Sequence, residues 1–293
     1  MKKESSEIRF QVFPGIELLF KSVYGTEEEK KITEDTGNKI EIDYCRKGRL
    51  ECQTGGRFFY LTPGGVILHR IGEMVREEVL PTGHYEGITV RMDLDRTPKC
   101  LSCFLEDVAV EPAYLARRFS LEEKLFFSLK RTPAIEHVFS ELADVPVAIQ
   151  KGYFKVKILE LFLLLSTMEP EESRAEQKLF CNVQVELAKK ISNYLDRHLD
   201  EDVTVKSLSE EFGSSVSQIK YNFQMVYGTS VSDYLREQRM HQAAEVLCST
   251  DRTVLDIAGQ FGYENGSKFA AAFRRTMGTS PAEFRKQPFS KRS

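Results

Sequence analysis

The chain lacks any long hydrophobic run. Its most apolar stretch, "ILELFLLL" from Ile158 to Leu165, is far too short to cross a bilayer, and no apolar segment follows the charged opening "MKKESSEIRF". No membrane partner and a cytoplasmic location are therefore expected. Histidine is scarce, with five in 293 residues, and the paired histidine and glutamate spacing of a metal-bound barrel enzyme is not visible. No catalytic residue and no cofactor are assigned. Six cysteines without an export signal read as reduced thiols rather than a disulfide framework. Cys100 and Cys103 form a single C-x-x-C, and Cys45 and Cys52 fall in adjacent predicted strands, but a second pair at metal spacing is missing. Cys100 and Cys103 are thus weak candidates for a metal or redox sensor, and burial as plain thiols is the default.

A charge excess of one sign is also lacking, since the net charge is −3, while 41% hydrophobic and 29% charged residues are ordinary for a folded chain. Charge placement is less even. Beyond Tyr263, Lys268, Arg274, Arg275, Arg285, Lys286, Lys291 and Arg292 face only Glu264 and Glu283. A local basic patch suffices for phosphate contacts, because salt screens distant acidic groups.

Residues 8 to 100 read as strands and turns. "KIEIDYC" alternates Ile40, Ile42 and Tyr44 on one face, "GRLEC" follows a Lys-Gly turn signal, and "GRFFYLTPGGVIL" sets a Pro-Gly-Gly turn between two apolar runs. Short strands at this spacing predict a small barrel or sandwich. From Glu111 the period becomes helical, in "EPAYLARRFSLEEKLFFSLKR", "TPAIEHVFSEL" and "VPVAIQKGYFKVKILELFLLLSTM". The last is apolar nearly all round at its end, so either its own barrel or a partner subunit must cover it. "EPEESRAEQ" after Met168 is charged and reads as the linker. The expected domains are 1–110, a sensing barrel; 111–168, a helical dimerisation segment; 169–182, the linker; and 183–293, an all-α domain.

That last domain repeats itself. "TVKSLSEEFGSSVSQIKYNFQMVYGTSVSDYL" from Thr204 aligns with "TVLDIAGQFGYENGSKFAAAFRRTMGTSPAEF" from Thr253, first at an offset of 49 and then, after one extra turn residue, at 50. Each copy reads as a helix, a turn, a second helix and a glycine stop. Val205, Leu208 and Phe212 are predicted to be buried in the first helix, and Val216, Ile219, Phe223 and Val226 in the second. "VSDYLREQRMHQAAEVLCS" reads as a long helix joining the copies.

From Val183 to Gln287 the chain resembles the DNA-binding domain of the AraC/XylS family of transcriptional regulators. "SLSEEFGSSVSQIKYNF", "YLREQRMHQAAEVL" and "VLDIAGQFGYENGSKFAAAFRRTMGTSPAEFRK" carry the resemblance. It implies seven helices that set two recognition helices in successive major-groove segments of double-stranded DNA. "YLTPGGVIL" and its neighbouring strands resemble the cupin-type effector domain often found at the N-terminus of this family. The expected fold is therefore α+β: a small cupin-like β-barrel with central helices, then an all-α domain of two helix-turn-helix units joined by a long helix.

On the first recognition helix, Ser217, Lys220, Tyr221 and Gln224 lie opposite Ile219 and Phe223, with Gln218 near the start. Lys220 suits guanine O6 or N7 or a phosphate, and Tyr221 offers a hydroxyl and a ring. The repeat offset places Ser267, Ala270, Ala271 and Arg274 at the matching positions, with Lys268 and Arg275 beside them. The alanines depart from the family's usual polar reading residues. Alanine touches a thymine methyl but offers no hydrogen bond, while the flanking cations suit phosphate. Base discrimination is therefore expected mainly from the first unit.

The expected function is a dimeric, effector-responsive transcriptional regulator, with contact to RNA polymerase possible if it acts as an activator. Tyr44, Arg46, Phe59, His69, His84 and Arg91 are loose candidates for holding a small-molecule effector, and each reads equally as core or surface. A thiol or metal sensor at Cys100 and Cys103 is the alternative. An enzyme with a cupin-type site and a helical DNA-binding tail is the third reading, and it would need the cluster of ligating side chains that the sequence does not display.

Overall fold

The structure, a computed structural model, describes residues 5–25, 37–71, 80–101, 111–119 and 126–286. Backbone contacts divide it into two units that part between Phe180 and Cys181.

In the first unit, alternating segments build a six-stranded sheet. Its strands are β1 (Ser6–Phe13), β2 (Ile16–Tyr24), β3 (Lys39–Gly48), β6 (Val66–Arg70), β7 (His84–Asp93) and β8 (Phe126–Leu129), in the order β1-β2-β7-β3-β6-β8. Each neighbouring pair is antiparallel. A second sheet contains β4 (Leu50–Thr54), β5 (Arg57–Leu61) and β9 (Phe180–Cys181). The chain passes between the sheets at two turns. At Gly48, φ is +75° and a Cβ would collide with the His84 carbonyl, so β3 can turn into β4 there only with glycine. The expected Thr62-Pro63-Gly64-Gly65 turn brings it back, from β5 to β6.

Three helices cover one face of the wide sheet. They are α1 (Pro112–Arg118), α2 (Pro133–Glu141) and α3 (Gln150–Thr167). Ile40, Ile42, Leu68, Ile88 and Val90 meet Leu115, Val138, Phe139, Ile158, Leu161 and Leu165 in one continuous core. Strand side chains alternate, so residues 41, 43, 69, 89 and 91 point to the opposite face.

The fold departs from expectation in four respects. Among the described residues the strands make two open sheets and not a closed barrel, because β4 pairs with β5 while β1 and β8 remain as edges. The helix expected through Arg131 ends at Arg118, and Phe126–Leu129 is a strand. A four-residue apolar run carries no period of its own, and the open edge of β6 supplies its hydrogen bonds and buries Phe127. The all-round apolar α3 places Phe154, Ile158, Leu161, Phe162 and Leu165 in its own unit's core, one of the two covers that its sequence left open.

Fourth, the expected linker 169–182 is pinned. After the short helix α4 (Pro170–Ser173), Arg174 bridges to Leu129 on the β8 edge, and the Ala175 N–H donates to the Ser128 carbonyl at 2.8 Å. The Lys130 N–H donates to the Ser173 carbonyl at 2.8 Å, and Gln177 reaches the Tyr60 carbonyl at 3.5 Å. Phe180 then joins the second sheet. Composition marks this segment as soluble, but an edge strand has backbone groups to satisfy and the segment supplies the partners.

Among the described residues beyond Cys181, the second unit is made of helices: α5 (Asn182–Arg197), α6 (Val205–Glu211), α7 (Val216–Tyr227), α8 (Val231–Ser249), α9 (Val254–Gln260), α10 (Gly266–Met277) and α11 (Pro281–Lys286). Seven helices are what the resemblance implied. Side chains cap the starts of α6 to α10 from Thr204, Ser215, Ser230, Thr253 and Asn265. Ser280 and Glu283 bond reciprocally at the start of α11. Gly213, Gly228, Gly262 and Gly278 all have positive φ between 60° and 77°, at equivalent places in the two copies.

Candidate nucleic-acid interface

The first copy buries Leu208, Ile219, Phe223 and Val226, and the second buries Ile257, Phe261, Phe269 and Phe273. Of the predicted stripe of α7, Ile219, Phe223 and Val226 are buried and Val216 is not. Val216 is exposed, while Asn222 and Tyr227 are buried, and Val205 and Phe212 are only half-buried. Tyr227 is drawn inward by a hydroxyl contact with Ser192 of α5 and by its ring's contacts with Phe223 and Tyr234. The Tyr234 hydroxyl donates to Asp196 at 3.2 Å, and burial raises the pKa of both groups. Neighbouring helix ends are tied by arginine. Arg239 of α8 donates to the Leu199 and Glu201 carbonyls after α5, and Arg285 of α11 donates to the carbonyls of Leu247, in the last turn of α8, and Arg252 beyond it. Arg285, part of the basic C-terminal stretch, is thus committed within the fold.

These anchors leave the opposite faces of α7 and α10 in solvent. Ser217, Gln218, Lys220, Tyr221 and Gln224 are all exposed, as are Ser267, Lys268, Ala271, Arg274 and Arg275, and Ala270 is half-buried. Two of the polar groups already have local work. The Gln218 carboxamide oxygen accepts from the Ser215 N–H at 3.2 Å, closing the cap of α7, and Gln224 donates to the Gly228 carbonyl at 2.9 Å at its other end. Lys220 and Tyr221 remain at the centre of the exposed face of α7. Ala270 and Ala271 occupy the same places on α10, and Ala272 packs against the second core. Between α10 and the start of α8 lies a cleft of about 390 Å³ lined by Asp233, Arg236, Glu237, Ala272 and Arg275 among others.

Residues 208–287 match the family model described as a helix-turn-helix domain. They form an AraC-type helix-turn-helix domain. Over 101 residues the chain is 37% identical to an Escherichia coli (strain K12) protein named uncharacterized HTH-type transcriptional regulator YdiP, covering 34% of this chain and 33% of that protein. Over 92 residues it is 29% identical to the regulatory protein SoxS of the same organism, covering 31% of this chain and 86% of SoxS. Among solved structures, the C-terminal domain of AraT, a response regulator from Geobacillus stearothermophilus, is 28% identical, covers 36% of this chain and 90% of its own, and superposes with a TM-score of 0.34. The chain spans only a third of YdiP's length. Both curated relatives carry the names of regulators and not of enzymes.

The effector candidates scatter. Tyr44 lies on the helix-covered face and stacks on Phe139 at 4.5 Å, Phe59 stacks on Phe126 at 4.4 Å, and Arg46 is exposed on β3. His84 bonds the Thr82 carbonyl in its own turn. Only His69 and Arg91 converge, on the far face of the wide sheet, where they meet Glu41, Asp43 and Thr89, which sequence reading missed. Of the thiols, Cys45 and Cys52 are buried, and burial pushes the Cys45 thiol up to about 12, which disfavours a reactive thiolate. Cys100 is half-buried, and Cys103 lies outside the described residues.

Proposed function

We propose that the protein is a sequence-specific transcriptional regulator that lays α7 and α10 in successive major-groove segments of double-stranded DNA. The observation that carries this reading is the duplicated helix-turn-helix, in which each second helix is anchored by buried residues, among them Ile219 and Phe223 in α7 and Phe269 and Phe273 in α10, and turns its other face to solvent. The two faces are chemically unequal. On α7, Lys220 donates hydrogen bonds and Tyr221, 46% exposed, offers a ring and a hydroxyl. On α10, two alanines leave methyl contact only, and Lys268, Arg274 and Arg275 meet phosphates. The first helix-turn-helix copy therefore discriminates bases and the second copy holds the protein on the backbone.

The first unit is read as a cupin-like effector-sensing region, and a homodimer along α3 is supported by Val156, which is 61% exposed, next to half-buried Leu159 and Leu163. An effector shifts DNA binding only by binding two states of the protein unequally. Selection of binding sites from a random duplex pool tests the central reading. Strong base preference under one half of the site and weak preference under the other is expected. Equal preference under both halves refutes the asymmetry, and no preference at all refutes the function.

A further inference from the structure

The buried polar row on the wide sheet is a product of strand register. Glu41 of β3 is directly opposite His69 of β6 on one side and Arg91 of β7 on the other, and Asp43, two residues on, is opposite Thr89. Glu41, Asp43 and His69 are each 3% exposed or less. Each sends one atom toward a common point, and those three atoms lie within 4.8 Å of one another. The His69 Nε2 is 2.8 Å from Asp43 Oδ2 and 3.6 Å from Glu41 Oε2.

Each also gives its other atom to an outer partner. Glu41 Oε1 accepts from the Arg91 guanidinium at 2.8 Å, Asp43 Oδ1 accepts from the Thr89 hydroxyl at 2.6 Å, and His69 Nδ1 faces the Arg70 carbonyl at 3.0 Å. A carbonyl oxygen only accepts, so a neutral imidazole puts its proton on Nδ1. Nε2 shares a hydrogen bond with Asp43 Oδ2 at 2.8 Å, and a cation taking the place of that proton meets one nitrogen and two carboxylate oxygens. One nitrogen and two carboxylate oxygens converging in a buried site, each residue backed by a second contact that fixes its orientation, is the arrangement of a metal-binding group and its supporting shell.

We propose that Glu41, Asp43 and His69 bind one divalent transition-metal cation. One nitrogen and two oxygen donors suit zinc, cobalt or a similar ion better than a thiolate-seeking one. Ligand bonds of about 2.0–2.2 Å set neighbouring donors roughly 3.4 Å apart in a tetrahedron, so the His69–Asp43 contact opens by less than about 1 Å to admit the ion. Water or an effector oxygen completes the coordination. The inference does not rest on the DNA-binding reading and stands if that reading fails.

The test uses the full chain, stripped with chelator and titrated with cobalt(II) and zinc(II), read by native mass spectrometry, visible absorption and thermal melting. One ion per chain is expected, with cobalt ligand-field bands, no thiolate charge-transfer band, and a melting temperature that rises with metal. Asp43→Asn should abolish stoichiometric binding, Thr89→Val should weaken it by about 10- to 100-fold through the supporting contact, and Cys100→Ser should leave it unchanged. If Asp43→Asn does not fold, Thr89→Val and the cobalt spectrum of the unaltered protein decide. Absence of stoichiometric metal, a thiolate band, or affinity unchanged in Thr89→Val overturns the proposal.

Discussion

Lys220 and Tyr221, which follow the buried anchor Ile219, are exposed on the solvent side of α7. At this scale the two recognition helices differ most clearly in Lys220 and Tyr221 against Ala270 and Ala271. Lys220→Ala is expected to relax preference at one base pair, costing roughly 1–3 kcal/mol there, in a binding-site selection followed by mobility-shift titrations. Arg274→Ala is expected instead to weaken all sequences alike and to reduce the slope of log affinity against log salt by about 1, measured by fluorescence anisotropy across a salt series. If Arg274→Ala changed sequence preference and Lys220→Ala did not, the roles would be reversed. A second residue-scale prediction concerns Glu283, whose bonds from the Ser280 hydroxyl and backbone hold its pKa down at about 2, against an ordinary 4.5. A carboxylate with a depressed folded-state pKa contributes above its ordinary value and loses that contribution as pH falls. The start of α11 should therefore loosen as pH falls from 4.5 to about 2, seen as increasing amide exchange at Phe284, whose N–H bonds the Ser280 carbonyl. Glu283→Gln should show no such pH dependence.

The helices of the second unit owe their limits to neighbours in sequence. A hydroxyl or amide three or fewer residues away starts α6 to α10, and a left-handed glycine stops α7 and α10. Such signals are readable without a structure because both partners sit within one turn. Gly278 has φ +75° and open space where a Cβ would stand, so Gly278→Ala carries backbone strain without a clash. That substitution is expected to cost about 1 kcal/mol in urea melts. A loss several times larger would mean that the residue has a packing role. The elements of the first unit were less legible. β8 is four residues long, and its strand character comes from β6, where Val66 sits opposite Leu129 across a sequence gap that no local pattern spans. The segment 169–180 has a linker's composition, yet it is bonded along two sheet edges. Hydrogen exchange should show protected amides at Lys130 and Ala175, which donate to Ser173 and Ser128. Free exchange at both would show an open linker after all.

For the whole molecule, the division between Phe180 and Cys181 implies that residues 181–293 contain every described helix of the duplicated domain, α5 to α11. A fragment with those limits is expected to fold and to retain the sequence preference of the full chain in the same binding assay. Failure of the fragment to bind DNA would show that the first unit contributes to the reading surface directly.

What the sequence determined alone is the duplicated helix-turn-helix and the contrast between its two exposed faces, because caps, glycine stops and helical spacing act over a few residues. Only the tertiary structure decided the sheet order, the pinning of the segment 169–180 and the joining of Glu41 and Asp43 with His69. Those depend on which strands become neighbours and in what register, and the pairing of residues 41, 69 and 91 is set by long-range hydrogen bonding that leaves no periodic trace in the chain.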